Sequence, residues 1–244
     1  MREAPVSAAE ITVAFLDRFG RRRAIPVADA AEVPFEELAP VHPPVAYPGR
    51  KSFVTNAWAS STDQPLACGS LRQQHCGMVL DRDPSVGLRS AGPMELRWSC
   101  DGRGHTLRPA FVAVRAGRRE VIRVQPEEPG DGWQWEQEVL AAAAEAAGWQ
   151  VRVMQPPTGV ELDNLSLLYA ARNPRWLPQG QDDLLAEQFS SPRTIRSGVR
   201  AAGLPQAQGI DLAYHLIWAD RLHIDTDALL TPASTAWTAS GERG

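Results

Sequence analysis

The stretch covering residues 134–147, Gln-Trp-Glu-Gln-Glu-Val-Leu-Ala-Ala-Ala-Ala-Glu-Ala-Ala, admits little besides an α-helix. Alanine has the highest intrinsic helix propensity, no glycine or proline interrupts the run, and Gly148 supplies the residue that commonly ends helices. What flanks this helix limits the fold further. Upstream lie short apolar runs at 86–89, 94–99, 109–114 and 120–124, separated by turns at Gly102-Arg103-Gly104 and Ala116-Gly117, and these read as strands. Downstream, residues 149–154 give one more strand before Pro156-Pro157. Ahead of them, residues 70–80 read as a helix with Leu71, Met78 and Val79 on its apolar side, ended by Asp83-Pro84. The order helix, antiparallel strands, helix, strand describes an α/β core of about a hundred residues over 69–157.

The flanks differ in character. Residues 10–28 alternate apolar and polar about Phe19-Gly20-Arg21, which predicts a β-hairpin. The proline-rich 34–49 segment is a connector, and 53–68 predicts a second hairpin turning at 60–64. Residues 1–68 thus read as an N-terminal β-hairpin region. Residues 158–244 read as mostly helical, with segments at 162–169, 183–189 and 209–222. Another helix starts at Ser191-Pro192 and stops at Gly203, and a strand pair follows at Ile224 and Leu229-Leu230. Helices followed by strands outline a small winged-helix-like module.

The net charge of −4 gives the whole chain no general attraction for nucleic acid, so any such contact requires a local patch. Lys51 is the sole lysine, so chemistry that needs an amine has one source. The odd count of cysteines, Cys68, Cys76 and Cys100 without a CxxC spacing, argues against a disulfide framework and a structural zinc site. The first five residues lack the pattern of a leader, and no run approaches the ~20 apolar residues that span a bilayer. The expected setting is the cytoplasm, with no part for a membrane.

Four motifs occur in a fixed order. Residues 69–86 run Gly-Ser-Leu-Arg-Gln-Gln-His-Cys-Gly-Met-Val-Leu-Asp-Arg-Asp-Pro-Ser-Val. Then come Arg108-Pro109-Ala110-Phe111, the run from Glu120 to Pro126, and Leu212-Ala213-Tyr214-His215-Leu216-Ile217-Trp218. Together they resemble TnsA-like endonuclease subunits of heteromeric transposons, above all the actinobacterial ones. In that family the first motif is E-S-x-L-E-x-D followed by L-D-F-D-P-x-V, the second H-x-P-D-F/Y, and the last L-Y-H-L-L-W. The resemblance implies a restriction-endonuclease-like, PD-(D/E)xK core, Mg²⁺ held by carboxylates on a helix and two strands, and a lysine beside them. It also implies partners: a separate transposase and an ATPase regulator.

This sequence departs from the family where the chemistry resides. Gln73 stands for the helix glutamate, Gly69 for an upstream acid and Ala110 for the aspartate of P-D-F. Arg123 takes a ligand position and Gln125 the place of the base. A hard cation needs oxygen ligands, an arginine repels it, and glutamine supplies no titratable amine. The expectation is therefore a degenerate nuclease with no cofactor and no catalytic residue, acting as a binding subunit for DNA, a protein partner or both. Two alternatives stand beside it. One is an active Mg²⁺-dependent endonuclease with ligands relocated to Glu95, Asp101 and Glu120. The other is a sequence-specific regulator using Arg193, Arg196 and Arg200, whose spacing places them on one helix face. Arg123 is the remaining candidate for a DNA contact, and Asp81 and Asp83 read as residues ending the helix and shaping its turn.

Overall fold

The computed structural model describes residues 7–173 and 180–239, so the N-terminal stretch read above for a leader lies outside the described residues. Among the described residues no helix is long and apolar enough to cross a membrane. The chain is a mixed α/β protein of two compact units, 1–156 and 157–244.

In the first unit the strands are β1 (Thr12–Leu16), β2 (Arg22–Pro26), β3 (Thr55–Ala59), β4 (Gln64–Cys68), β5 (Val86–Ala91), β6 (Met94–Cys100), β7 (Arg103–Leu107), β8 (Phe111–Arg115), β9 (Arg118–Val124) and β10 (Gln150–Met154). The helices are α1 (Leu71–Arg82) and α2 (Trp133–Ala147). The strands form sheets ordered β2-β1-β6-β7 and β10-β9-β8-β5, with β3 and β4 as a separate hairpin. In the second sheet β5, β8 and β9 are antiparallel, and β10 returns through α2 to lie parallel to β9.

That sheet is covered on both sides, and the period-two alternation of its strands assigns the faces. Val112 and Val121 point into one core with Val139, Leu140 and Ala143 of α2 and with Val13, Phe15, Met94 and Leu96 of the other sheet. Phe111, Ala113, Ile122 and Met154 point the opposite way, into a core with Cys76 and Leu80 of α1 and Ala57 and Cys68 of the hairpin. Gly77 lets α1 descend onto that hairpin: a methyl group there would lie 2.5 Å from the Ala57 Cβ and 3.3 Å from the Phe111 ring.

Residues 1–68 are accordingly no separate region. Strand β1 pairs with β6, matching Thr12 to Arg97, and the N-terminal hairpin completes a core sheet. Strand β7 is an addition to the expected set. The turn is Asp101-Gly102, both at positive φ, and Arg103 already belongs to the strand.

The second unit contains α3 (Gly159–Ala170), α4 (Asp182–Glu187), β11 (Arg193–Thr194), α5 (Ile195–Ala201), α6 (Gln206–Trp218), β12 (His223–Ile224) and β13 (Thr235–Trp237). Helices α3, α4 and α5 all pack on α6, which buries Leu212, Ala213, Leu216 and Ile217. The short strands are antiparallel in the order β11-β13-β12. Two expectations are corrected here. The hydroxyl of Thr194, not Ser191, caps α5 by accepting from the Ser197 N–H, and Arg193 precedes the helix in β11. Leu229-Leu230 is not a strand: the Asn164 side chain clamps that turn, accepting from the Leu230 N–H at 2.7 Å and donating to the Ala228 carbonyl at 2.9 Å.

Candidate functional site: an arginine-lined cleft

The positions at which the sequence departs from the nuclease pattern converge. Gly69, Gln73, Ala110, Arg123 and Gln125 all line one cleft in the first unit, with a cavity of about 620 Å³. Three elements bring them there. The β4–α1 junction carries Gly69, Ser70 caps α1 by accepting from the Gln73 N–H, and the first turn of the helix presents Arg72 and Gln73. Ala110 immediately precedes β8, while Arg123 and Gln125 lie at the C-terminal end of β9. A strap over residues 40–50 closes the remaining side, held by the Val41 N–H donating to Gly92 O at 2.9 Å.

Gln73 acts as a neutral cross-brace. Its Oε1 accepts from the Gly69 N–H at 2.8 Å, and its Nε2 donates to the Ala110 carbonyl at 3.0 Å. Gln73 therefore links the backbones at Gly69 and Ala110. The bridge requires an acceptor at one end and a donor at the other, which an amide has and an ionised carboxylate lacks. The Ala110 carbonyl also accepts the Gly92 N–H at 3.0 Å, so both of its lone pairs are engaged.

The arginines fall into two groups. Arg123 is paired with Glu136 of α2 at 2.8 Å and stacks on the Trp133 ring at 4.0 Å, so much of its charge is answered locally. One of its terminal nitrogens, Nη1, is buried without a hydrogen-bond partner. Arg108 pairs with Glu95 at 2.6 Å but is 55% exposed. Arg50 and Arg72 instead donate to neutral oxygens. Arg72 contacts the Gln125 carbonyl through Nε at 3.2 Å and Nη2 at 2.9 Å. Arg50 donates to the carbonyls of Ser52, Val45 and Gly69, at 3.0, 3.2 and 2.9 Å. Neither has a carboxylate partner among the described residues, and the lone acid lining the cleft, Glu127, is exposed.

This donor set does not suit Mg²⁺. A hard divalent cation takes carboxylate and other free oxygens. Here the helix and β8 positions offer an amide oxygen already bonded to an N–H and a carbonyl already bonded twice, with guanidinium groups around them. The relocated-ligand arrangement is not assembled either. Glu95, buried to 2% exposure, is enclosed by Arg97 and Arg108, each at 2.6 Å, His42 at 3.1 Å and Arg22 at 3.9 Å. Burial raises the Glu95 carboxyl, but hydrogen bonds and charges from Arg108 and Arg97 outweigh it and hold the group below the usual glutamate range. Glu120 pairs with Arg115 at 3.2 Å and Arg152 at 3.8 Å, and Asp101 sits in the β6–β7 turn. Among the described residues no three His, Cys, Asp or Glu side chains are grouped to hold a metal ion.

The remaining candidates lie elsewhere. Asp81 does more than end α1: its side chain accepts from the Ser60 N–H at 2.8 Å and the Ser60 hydroxyl at 2.9 Å, and forms a buried ion pair with Arg89. Asp83 shapes the turn as expected, accepting from the Ser85 N–H at 3.0 Å. Arg196 and Arg200 are exposed on α5, whereas Arg193 is half-buried in β11. Arg50, Arg72 and Glu95 were not legible as one neighbourhood in the sequence. Arg50 stands in an irregular proline-rich strap, and Glu95 meets Arg22 of β2 and His42 of the strap only once the chain has folded. The chain matches no protein-family model, and no curated protein matches it.

Proposed function

We propose that this protein is a TnsA-like nuclease-fold subunit that binds rather than cuts, with a restriction-endonuclease-like first unit and a winged-helix-like second unit. The observation that carries the reading is the cleft itself. Residues picked from the sequence as replacements for metal ligands and base gather at one place, and the chemistry found there is an amide brace among arginines. An active site with relocated ligands is disfavoured because Glu95 and Glu120 are each committed to arginines. The proposed partners are DNA and a transposase-type or regulatory protein. The exposed pair Arg196 and Arg200 favours a contribution of the second unit to phosphate contacts.

The test is calorimetric titration of the pure protein with Mg²⁺ and Mn²⁺, beside a plasmid-cleavage assay. The expected outcome is neither specific metal binding nor nicking. Metal-dependent cleavage abolished by Glu95→Ala or Glu120→Ala would replace this reading with the relocated-ligand nuclease.

A further inference from the structure

The same cleft has properties that a nuclease centre does not need. Arg72 uses two of its five N–H donors on the Gln125 carbonyl, and Arg50 uses three on the carbonyls of Val45, Ser52 and Gly69. The remaining donors belong to two guanidinium groups that line the cavity with no carboxylate to neutralise them. Arg108 adds a third, whose Nε holds Glu95 while its terminal nitrogens form no hydrogen bond among the described residues. Such a constellation recognises an anion with several oxygens, and planar guanidinium forks suit a phosphodiester better than a halide or a single carboxylate.

The rim carries the second observation. Tyr47 lines the cleft and is 61% exposed, and Arg50 lies 5.8 Å over its ring; Phe53, three residues beyond Arg50 in sequence, is 74% exposed. Flat apolar rings held out to water beside unneutralised arginines are the two components of single-strand recognition, in which bases stack on rings while cations follow the backbone. A duplex keeps its base faces stacked internally and offers nothing to those rings. The strap is also preordered. Pro40, Pro43, Pro44 and Pro48 restrict its backbone, and Arg50 ties it to Gly69, so Tyr47 is presented without a large ordering cost.

We infer that the cleft is a metal-independent site for single-stranded nucleic acid, with Arg50, Arg72 and Arg108 contacting phosphates and Tyr47 stacking a base. The inference rests on the binding-subunit reading and deepens it, because arginine replaces the metal as the counter-charge to phosphate.

Fluorescence anisotropy of a labelled 12-nucleotide oligothymidylate and of a matched duplex, both in EDTA, tests it. The single strand binds at least fivefold more tightly than the duplex. With three phosphates contacted, its log affinity falls against log salt with a slope of about −2. Arg72→Ala weakens single-strand binding about tenfold. Tyr47→Ala, at a 61% exposed position, weakens it about fivefold and leaves the weak duplex binding unchanged. Equal affinity for strand and duplex, or affinity untouched by both substitutions, overturns the inference. If nucleic acid binds and Arg196→Ala with Arg200→Ala is what abolishes it, this site is wrong while the binding-subunit reading stands. If the oligonucleotide is cut when Mg²⁺ replaces EDTA, the binding-subunit reading itself fails.

Discussion

Substituting Asp81 by asparagine removes one charge from a fully enclosed pair and changes almost nothing in shape. The side chains of Asp81 and Arg89 are 0% and 1% exposed. Arg89 otherwise donates to the Trp58 and Leu80 carbonyls, and its Nε is already without a partner. Asparagine would leave the guanidinium buried with carbonyl dipoles alone, and it would face Ser60, which donates to both aspartate oxygens, with an amide. Breaking a buried pair from one side typically costs about 3–5 kcal/mol. For a domain of this size each kcal/mol lowers Tm by about 2–4 °C, so the expected loss is roughly 6–20 °C. The double variant Asp81→Asn/Arg89→Met removes the stranded charge as well and recovers most of that loss, because the main cost of breaking a buried pair from one side is the uncompensated charge it leaves. Thermal and urea unfolding followed by circular dichroism measure both. A loss below about 1 kcal/mol for the single variant, or a double variant no more stable than the single one, would refute the reasoning.

Two further outcomes follow from the cleft. Gln73→Met removes both ends of the cross-brace and lowers stability by about 1–2 kcal/mol. A melting temperature within one degree of the parent would show that the brace holds nothing in place. Glu95 ties stability to pH. Folding holds its carboxyl low, so the stabilisation it supplies is complete above the unfolded value of about 4.3 and is lost as pH falls through the lower folded value. Glu95→Gln therefore costs about 1–3 kcal/mol at neutral pH, its arginine partners being partly solvated. The two melting curves converge on acidification, whereas a constant offset from pH 6 to pH 3 would contradict this account.

The layered core was legible because its signals are local. The alanine run, the Asp83-Pro84 stop and the apolar runs between turns each carry their own instruction, and α1, α2 and the β8–β9 pair form where those instructions place them. Strand β7 escaped because Arg-Gly-His-Thr-Leu has no alternation to read. Its place is decided by pairing with β6 and by His105, which stacks on Trp98 at 5.7 Å and meets the edge of Trp135 at 4.9 Å. The C-terminal strand was misplaced because Leu230 is apolar and buried for a different reason, as the clamped end of a turn. In the cleft, Gly69, Gln73, Ala110, Arg123 and Gln125 belong to motifs local in the sequence, whereas residues whose place depends on distant pairing carry no such mark. Arg50 reaches Gly69 across a strap without periodicity, and the many partners of Glu95 come from β2, the strap, β6 and the approach to β8.

The pairing of β1 with β6 has a consequence during synthesis. Thr12 and its partner Arg97 are 85 residues apart. At about 5–20 residues per second, Thr12 waits roughly 4–17 s on the ribosome before its partner exists. Throughout that interval Val13 and Phe15, fully or nearly buried in the finished protein, have no core to enter. The nascent chain thus carries an open, apolar strand edge for far longer than a hairpin takes to form, about 1–10 μs. Protecting that edge falls to whatever shields emerging chains.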